Sequence, residues 1–194
     1  MSVKLDTAPS EFLSALGVLR GVPTPPNLSL EEIQAPFGVA PYAASLTGEV
    51  LRKNRTQDID DILAHGSFTV FYSPTEVPEW ESKFRIVTIV RADIDNEMGV
   101  DPLINDVSRA WLNESLTVAQ AGFDNLRGTV TQVLSQSFAG NDPHDQESQL
   151  EIRCSWSPLP RNNSGQVDWE LGLHLESWIN LLFATSGSPM LFVQ

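Results

Sequence analysis

The stretch SQLEIRCSW, residues 148–156, decides the fold because apolar and polar side chains alternate along its length. The apolar phase consists of Leu150, Ile152, Cys154 and Trp156. Successive side chains of a β-strand point to opposite sides of its sheet, so this alternation predicts a strand with one buried face and one wet face. The sheet that contains the strand is therefore expected to be covered on one side only.

Further segments outward from this stretch also have the composition of strands. LRGTVTQVLSQSF (126–138) precedes it across a polar loop and is the predicted hairpin partner. SFTVFY (67–72) and KFRIVTIVRA (83–92) are rich in β-branched and aromatic residues, which predicts a second antiparallel pair. A short strand is also predicted around residues 28–33. The chain should therefore contain about five strands.

Helices are predicted between these strands from apolar residues at helical spacing and from proline or aspartate near each start. Their predicted positions are 9–20, a second helix from Pro41 through Val50, a third over 101–121, and a last helix capped by Asp168. Leu103, Val107, Trp111 and Val118 are the predicted inward residues of the third helix. Hairpins separated by helices predict an α+β fold, an antiparallel sheet of about five strands with helices packed mainly on one face.

The composition limits the classes of function. The chain has 194 residues and a formal net charge of −13. One domain over residues 1–194, with an ordered core of about 9–187, is expected. We expect a cytoplasmic protein without membrane association, since there is no long apolar run, no secretory leader and a single cysteine. The negative charge would repel a phosphate backbone, so direct nucleic-acid contact is not expected.

Motifs for cofactors and metals are missing from the sequence. It contains no G-x-G-x-x-G, no Gly-Lys pair and no G-x-S-x-G, and neither cofactor nor metal is expected. His144 lies in the acidic segment 142–147, where a solvated turn is preferred over a cation site. His174 is predicted on the surface of the last helix. Cys154 falls in the apolar phase of its strand and is predicted to be buried and unreactive.

One group of polar residues occupies the wet phases of the predicted strands. It brings four of the nine arginines to one surface of the sheet. The predicted binding residues are Arg85, Arg91, Arg127, Thr129, Thr131, Glu151 and Arg153. Like charges on neighbouring strands, about 4.8 Å apart, repel by about 0.9 kcal/mol in water, so something should offset them. Either Glu151 forms structural ion pairs across the strands, or the surface receives an acidic segment, a carboxylate or phosphate ligand, or a second subunit.

Two classes of function remain open at this point, and catalytic residues are unknown. A non-enzymatic binding or adaptor domain that uses the arginine- and threonine-rich surface is preferred, because catalytic motifs are missing. The alternative is an enzyme that acts on a small anionic metabolite, with Glu151 or His144 as the acid–base group. A deep pocket beside the arginines would favour the enzyme, and a flat, partly apolar surface would favour the adaptor.

Several blocks of the chain resemble a known family. They are EEIQAPFGVAPYAASL, WESKFRIVTIVRADIDNEMGVDPLINDVSRAWL, GTVTQVLSQSFAG, SQLEIRCSWSP and LHLESWINLL. In this order, from about Glu11 to Leu182, they are similar to the actinobacterial domain-of-unknown-function family numbered 3000. The resemblance implies an actinobacterial cytoplasmic protein. That family has no assigned activity, so the resemblance implies no catalytic residue.

Overall fold

The computed structural model describes residues 8–52, 61–139, 142–163 and 166–190, and the side chains of these residues outside 138–145 and 163–166. Its main sheet contains β1 (Leu28–Ile33), β2 (Tyr42–Arg52), β3 (Asp61–Val77), β4 (Ser82–Ile94), β5 (Phe123–Ala139) and β6 (Asp142–Pro158). These six strands are arranged in the order β1-β2-β3-β4-β6-β5, and every neighbouring pair is antiparallel. A separate hairpin pairs β7 (Arg161–Asn163) with β8 (Gln166–Asp168).

The helices pack mainly on one face of the main sheet, which we call the helix face; the opposite side is the outer face. They are α1 (Ser10–Gly17) with a 3₁₀ turn at Val18–Gly21, α2 (Asn96–Gly99), α3 (Ile104–Val118) and α4 (Leu171–Ser186). The predicted α+β fold is therefore confirmed, with six strands in the main sheet where about five were expected. No helix within the described ranges is long and apolar enough to cross a membrane.

The helix predicted from Pro41 is wrong, because this segment forms strand β2. Tyr42, Leu46 and Val50 are spaced by four residues, and that spacing fits one face of a helix as well as alternate positions of a strand. In β2 these residues lie on the helix face, paired with Tyr72, Phe68 and Ala64 of β3. Pairing with a neighbouring strand therefore decided between two structures that the local pattern allowed.

Helix α4 lies over the centre of the sheet and is buried on most sides. The predicted stripe of Leu171, Leu175, Trp178, Ile179 and Leu182 is buried, as expected. The N-cap predicted at Asp168 is wrong, because the helix begins at Leu171 and its N-cap is Glu170. Asp168 Oδ1 accepts a hydrogen bond from the Glu170 N–H at 2.8 Å, just before the helix. A Cβ at Gly48 would lie 2.8 Å from Trp178 Cη2, so the missing side chain lets the indole approach β2 closely.

Of the four inward residues predicted for helix α3, Trp111 is partly buried against the core, and the other three are exposed. Leu103 and Val118 are 59% and 66% exposed, and Val107 is also exposed. The buried positions are Ile104, Ser108, Leu112, Ser115 and Leu116. Small serine side chains on this face suit close packing, and α3 contacts α4. The hydrophobic pattern alone could not reveal a face that is partly polar.

Helix α1 is fastened to the sheet through one carboxylate. Glu11 Oε2 accepts hydrogen bonds from Tyr72 Oη at 2.8 Å and from Lys83 Nζ at 3.0 Å. Its Oε1 accepts one from Trp169 Nε1 at 3.1 Å. Burial by itself would raise the pKa of Glu11, but the hydrogen bonds from Lys83, Tyr72 and Trp169 lower it overall.

Candidate functional site

All seven predicted binding residues lie on the outer face of the sheet. Strand register places Arg91 opposite Glu151 and Glu151 opposite Thr131. Two residues further along the same face of β6, Arg153 is opposite Thr129. Two residues beyond that, Ser155 is opposite Arg127. Arg85 occupies the same phase of β4 as Arg91, three steps of two residues away. We call these seven residues the arginine patch; whether they bind a ligand stays a prediction.

Glu151 lies between two arginines of the patch. Arg91 Nε donates a hydrogen bond to its Oε2, and Arg153 Nε donates one to its Oε1. The Glu151 side chain is only 11% exposed. The hydrogen bond from Arg153, assisted by Arg91 and opposed by burial, holds the pKa of Glu151 below its usual value. The cross-strand ion pair considered from the sequence is thus present, and one carboxylate serves two guanidinium groups.

Arg85 is on the predicted face but is buried, with 5% of its surface exposed. Its Nη1 donates to the Asn125 carbonyl at 2.9 Å and to Ser157 Oγ at 3.1 Å. Its Nη2 donates to Ser155 Oγ at 2.7 Å and to the Ser155 carbonyl at 3.2 Å. All four acceptors are uncharged, and burial, followed by the charge of Arg127, lowers the pKa of Arg85. Arg85 is therefore a desolvated cation without a carboxylate partner in the described part of the chain.

The turn between β3 and β4 lies close to this end of the outer face. The Trp80 carbonyl accepts a hydrogen bond from Ser157 Oγ at 2.7 Å, and the Trp80 ring lies 6.5 Å from the Phe71 ring. The Glu79 carbonyl accepts a hydrogen bond from Asn125 Nδ2 at 3.0 Å. Alternation along β4 predicts the side of the sheet for Arg85, but it cannot predict that a neighbouring turn encloses it.

The rest of the patch is accessible and lies on the edge strand β5. Arg127, Thr129 and Thr131 are exposed. Arg127 Nε donates to Asn125 Oδ1 at 3.1 Å, and no described carboxylate pairs with it. Toward the centre of the sheet the patch borders the partly buried Ile89. Four guanidinium groups thus belong to the patch together with one carboxylate, and Asp93 lies next to Arg91 on the same face of β4, in a chain whose net charge is −13.

A cavity of about 820 Å³ lies away from the patch, between α1 and the ends of β1 and β2. Its apolar lining includes Leu16, Leu30, Leu46, Phe68 and Leu175, with Arg20 and Glu32 among the polar residues. It opens where β1 ends at Ile33, because residues 42–44 of β2 continue without a β1 partner. The sequence did not predict this cavity, because β2 was taken for a helix. The one sign of it in the sequence was Phe37, an aromatic residue in the segment before β2, which lines the cavity and is 61% exposed.

A smaller cavity of about 380 Å³ lies between α3 and the pair β5–β6. It is lined by Asn105, Arg109 and Leu112 of the helix and by Val130 and Ile152 of the strands. Val130 and Ile152 belong to the helix face, but Thr129 and Arg153 of the arginine patch also line this cavity, so it borders the patch at strands β5 and β6.

The remaining reactive groups predicted from the sequence fall in different places. Cys154 is 3% exposed, which confirms the predicted burial, and burial raises the pKa of its thiol to about 11. The surface position predicted for His174 is wrong, because the residue lies on a buried face of α4 and is 1% exposed. Its Nδ1 accepts a hydrogen bond from Trp156 Nε1 at 3.0 Å, and burial lowers its pKa to about 4. The side chain of His144 lies outside the described residues. Among the side chains that are described, no cluster could hold a metal ion.

The fold and the patch define an α+β protein that covers one face of an antiparallel sheet with helices and carries clustered arginines on the other. The chain belongs to a family of proteins of unknown function, DUF3000, whose family model matches residues 8–194. The family resemblance found in the sequence blocks is confirmed, whereas the actinobacterial origin stays a prediction. No curated protein matches the chain significantly. No solved structure does so either.

Proposed function

We propose that the protein is a non-enzymatic binding domain whose arginine patch receives an acidic segment of a partner protein. The observation that carries the proposal is the imbalance of charge on the patch, four arginines against Glu151, in a strongly acidic chain. An unpaired cation that is held away from water raises the free energy of the folded state, and a nearby anion lowers it again. Arg85 is in this situation, and Arg127 beside it is exposed.

The chemistry of the patch suits an anion bound at its surface. Arg127 and Arg153 are exposed on neighbouring strands, and Thr129 lies between them in the strand register. Guanidinium and hydroxyl groups donate hydrogen bonds to carboxylate oxygens, and charge-assisted hydrogen bonds are stronger than neutral ones. An extended acidic segment could therefore cross β6 and β5 and contact both arginines.

Binding is favoured over catalysis by the state of the only carboxylate in the patch. Two arginines hold Glu151 ionised, and its lowered pKa makes it a poor proton donor near neutral pH. The 820 Å³ cavity lies at the other end of the sheet from the arginines. The cavity of about 380 Å³ is lined by Arg153 and Thr129, but its described lining residues include no carboxylate that could act as an acid–base group. A cytoplasmic location and the lack of direct nucleic-acid contact remain predictions within this proposal.

The test is a titration with a fluorescently labelled oligoglutamate peptide, followed by anisotropy at low and high salt. We expect binding that weakens with salt, and a loss of about tenfold or more in affinity when Arg127→Gln and Arg153→Gln are combined. Arg109→Gln is the matched control, because Arg109 is an exposed arginine on α3. Inorganic phosphate as a competitor distinguishes recognition of any small anion from recognition of a peptide.

The proposal fails if the wild-type protein does not bind the peptide at low salt. It also fails if Arg109→Gln weakens binding as much as the patch variant does, because the effect would then reflect total charge. Near-UV circular dichroism of each variant checks that its fold is retained.

A further inference from the structure

The two edges of the main sheet differ in length and charge. The edge strand β1 has six residues, and two of them, Glu31 and Glu32, are adjacent acids. The other edge strand, β5, has 17 residues, and no described strand pairs with its outer side. Exposed edges present unpaired N–H and C=O groups, and monomeric proteins protect them with short strands, charges, prolines or bulges. The edge at β1 has such protection.

Strand β5 lacks most of it. Residues 128–139, GTVTQVLSQSFA, contain no charged residue and no proline. The irregularities in its pairing with β6 fall near the two ends of the strand, so Arg127–Gln136 form an uninterrupted ladder. Val133 and Leu134, 45% and 52% exposed, add apolar surface on both faces. This edge has the features of a strand that accepts another strand beside it.

Part of β5 also extends beyond the support of the sheet. Pairing between β4 and β6 ends at Ile94 and Ser148, so β5 is the only described strand that pairs with residues 142–147 of β6. Asn96 of α2 also donates a hydrogen bond to the Gln146 carbonyl at 3.0 Å. A two-stranded ribbon alone is marginally stable in water, and a third strand strengthens it. A partner strand along β5 would therefore stabilise the ribbon.

The strand that fits this edge is β5 of a second copy of this chain, because antiparallel pairing about a twofold axis lets two identical edges satisfy each other. Two copies with a net charge of −13 repel over most of their surfaces. Salt limits this repulsion to about 8 Å at physiological ionic strength, so the local charge at the contact dominates. Residues 128–139 of β5 carry no charge, and the nearby Arg127 and Arg153 are cationic, so pairing along this part of the strand does not bring two acidic surfaces together.

We infer that two copies of the protein associate by antiparallel pairing of their β5 strands about a twofold axis perpendicular to the sheet. The six-stranded sheet of one copy then continues into that of the other, and neither copy keeps an exposed β5 edge. This axis leaves both outer faces on the same side, so the two arginine patches become neighbours. Dimer formation does not require the proposed anion binding. Only a binding role for the two neighbouring arginine patches depends on the proposed function.

Sedimentation equilibrium over a range of protein concentrations tests the association. The wild-type protein should have twice the mass of the 21.4 kDa chain. Val133→Lys, which places charges near one another across the twofold axis, should raise the dissociation constant by about tenfold or more. Ile33→Lys is the matched control, since Ile33 is an exposed residue (39%) of the opposite edge strand, and it should leave the dimer intact.

A single-cysteine series gives a second readout that does not depend on a destabilising charge. Cysteines placed one at a time at positions 129–135 should form an intermolecular disulfide on oxidation only near the twofold axis, where identical residues face each other. The buried Cys154 should not react in the folded protein. A monomeric wild type at every concentration overturns the inference, as does a series without any crosslink. If the dimer persists in Val133→Lys, its interface lies elsewhere and the inference is wrong. This conclusion does not depend on the result of the peptide titration, which tests the proposed anion binding.

Discussion

The two faces of the β4–β6 strand pair satisfy their polar groups in opposite ways. On the helix face, Cys154 contacts Thr88 Oγ1 at 3.0 Å, and His174 accepts a hydrogen bond from Trp156, so the buried polar groups pair with uncharged partners. On the outer face, between the same two strands, Glu151 is ionised and pairs with arginines. Residues one position apart along β6 thus lie in environments of opposite character.

The difference shows how burial and charge act on ionisable groups within a few ångströms. Under the helices, desolvation dominates and favours the neutral form, which lowers the pKa of His174 and raises that of Cys154. On the outer face, hydrogen bonds from cations dominate and favour the charged form of Glu151. The helix face is accordingly suited to stability, and the outer face is the one that can attract a charged partner.

The largest effect should come from removing an aromatic side chain on the helix face. Trp156→Ala should lower the free energy of unfolding by about 3–5 kcal/mol, because Trp156 is 1% exposed and its truncation leaves a large cavity and an unpaired His174. Arg153→Ala, three positions away on the outer face, should leave the free energy of unfolding almost unchanged. Urea denaturation of the two variants measures the contrast. Similar losses for both would show that the outer face is also a structural layer.

A smaller effect should appear as a dependence of stability on pH. The ordinary histidine pKa is near 6.5, and burial lowers that of His174 to about 4. Between these values the unfolded state binds more protons, so stability should fall as pH drops from 6.5 toward 4, by about 1.4 kcal/mol per pH unit.

Urea denaturation at pH 5 to 6.5 measures this slope. His174→Gln, which can still accept a hydrogen bond from Trp156, should flatten the slope even if it lowers overall stability. The interval lies above the range in which Glu151 and Glu11, whose pKa values are lowered, lose their charge. An unchanged slope in His174→Gln would contradict the assignment to His174.

The smallest effect should come from neutralising the outer face. Glu151→Gln keeps the shape of the side chain but leaves Arg91 and Arg153 without a counter-charge. It should lower the free energy of unfolding by about 1 kcal/mol, the scale of partly exposed ion pairs. High salt should reduce the loss, since it screens the remaining repulsion. A loss that does not change with salt would mean that packing around Glu151 matters more than its charge.

The sequence by itself determined the features that rest on local periodicity. The alternation in 148–156 and 83–92 correctly predicted two strands and their buried phases. Together with the phase of 126–138, it predicted that the seven residues of the arginine patch share one face. The buried stripe of α4 was equally clear, because its leucines recur at helical spacing over several turns. Such patterns can be predicted because backbone geometry alone decides which side chains share a face.

Tertiary structure alone decided what covers each face. The spacing of Tyr42, Leu46 and Val50 fits a helix and a strand equally, and only pairing with β1 and β3 made this segment β2. Arg85 is on the predicted side of its strand, yet it is buried by segments that are distant in the chain. The burial of His174 and the cavity beside α1 have the same origin. Which distant segment packs on a surface depends on long-range contacts, and no local pattern of residues records them.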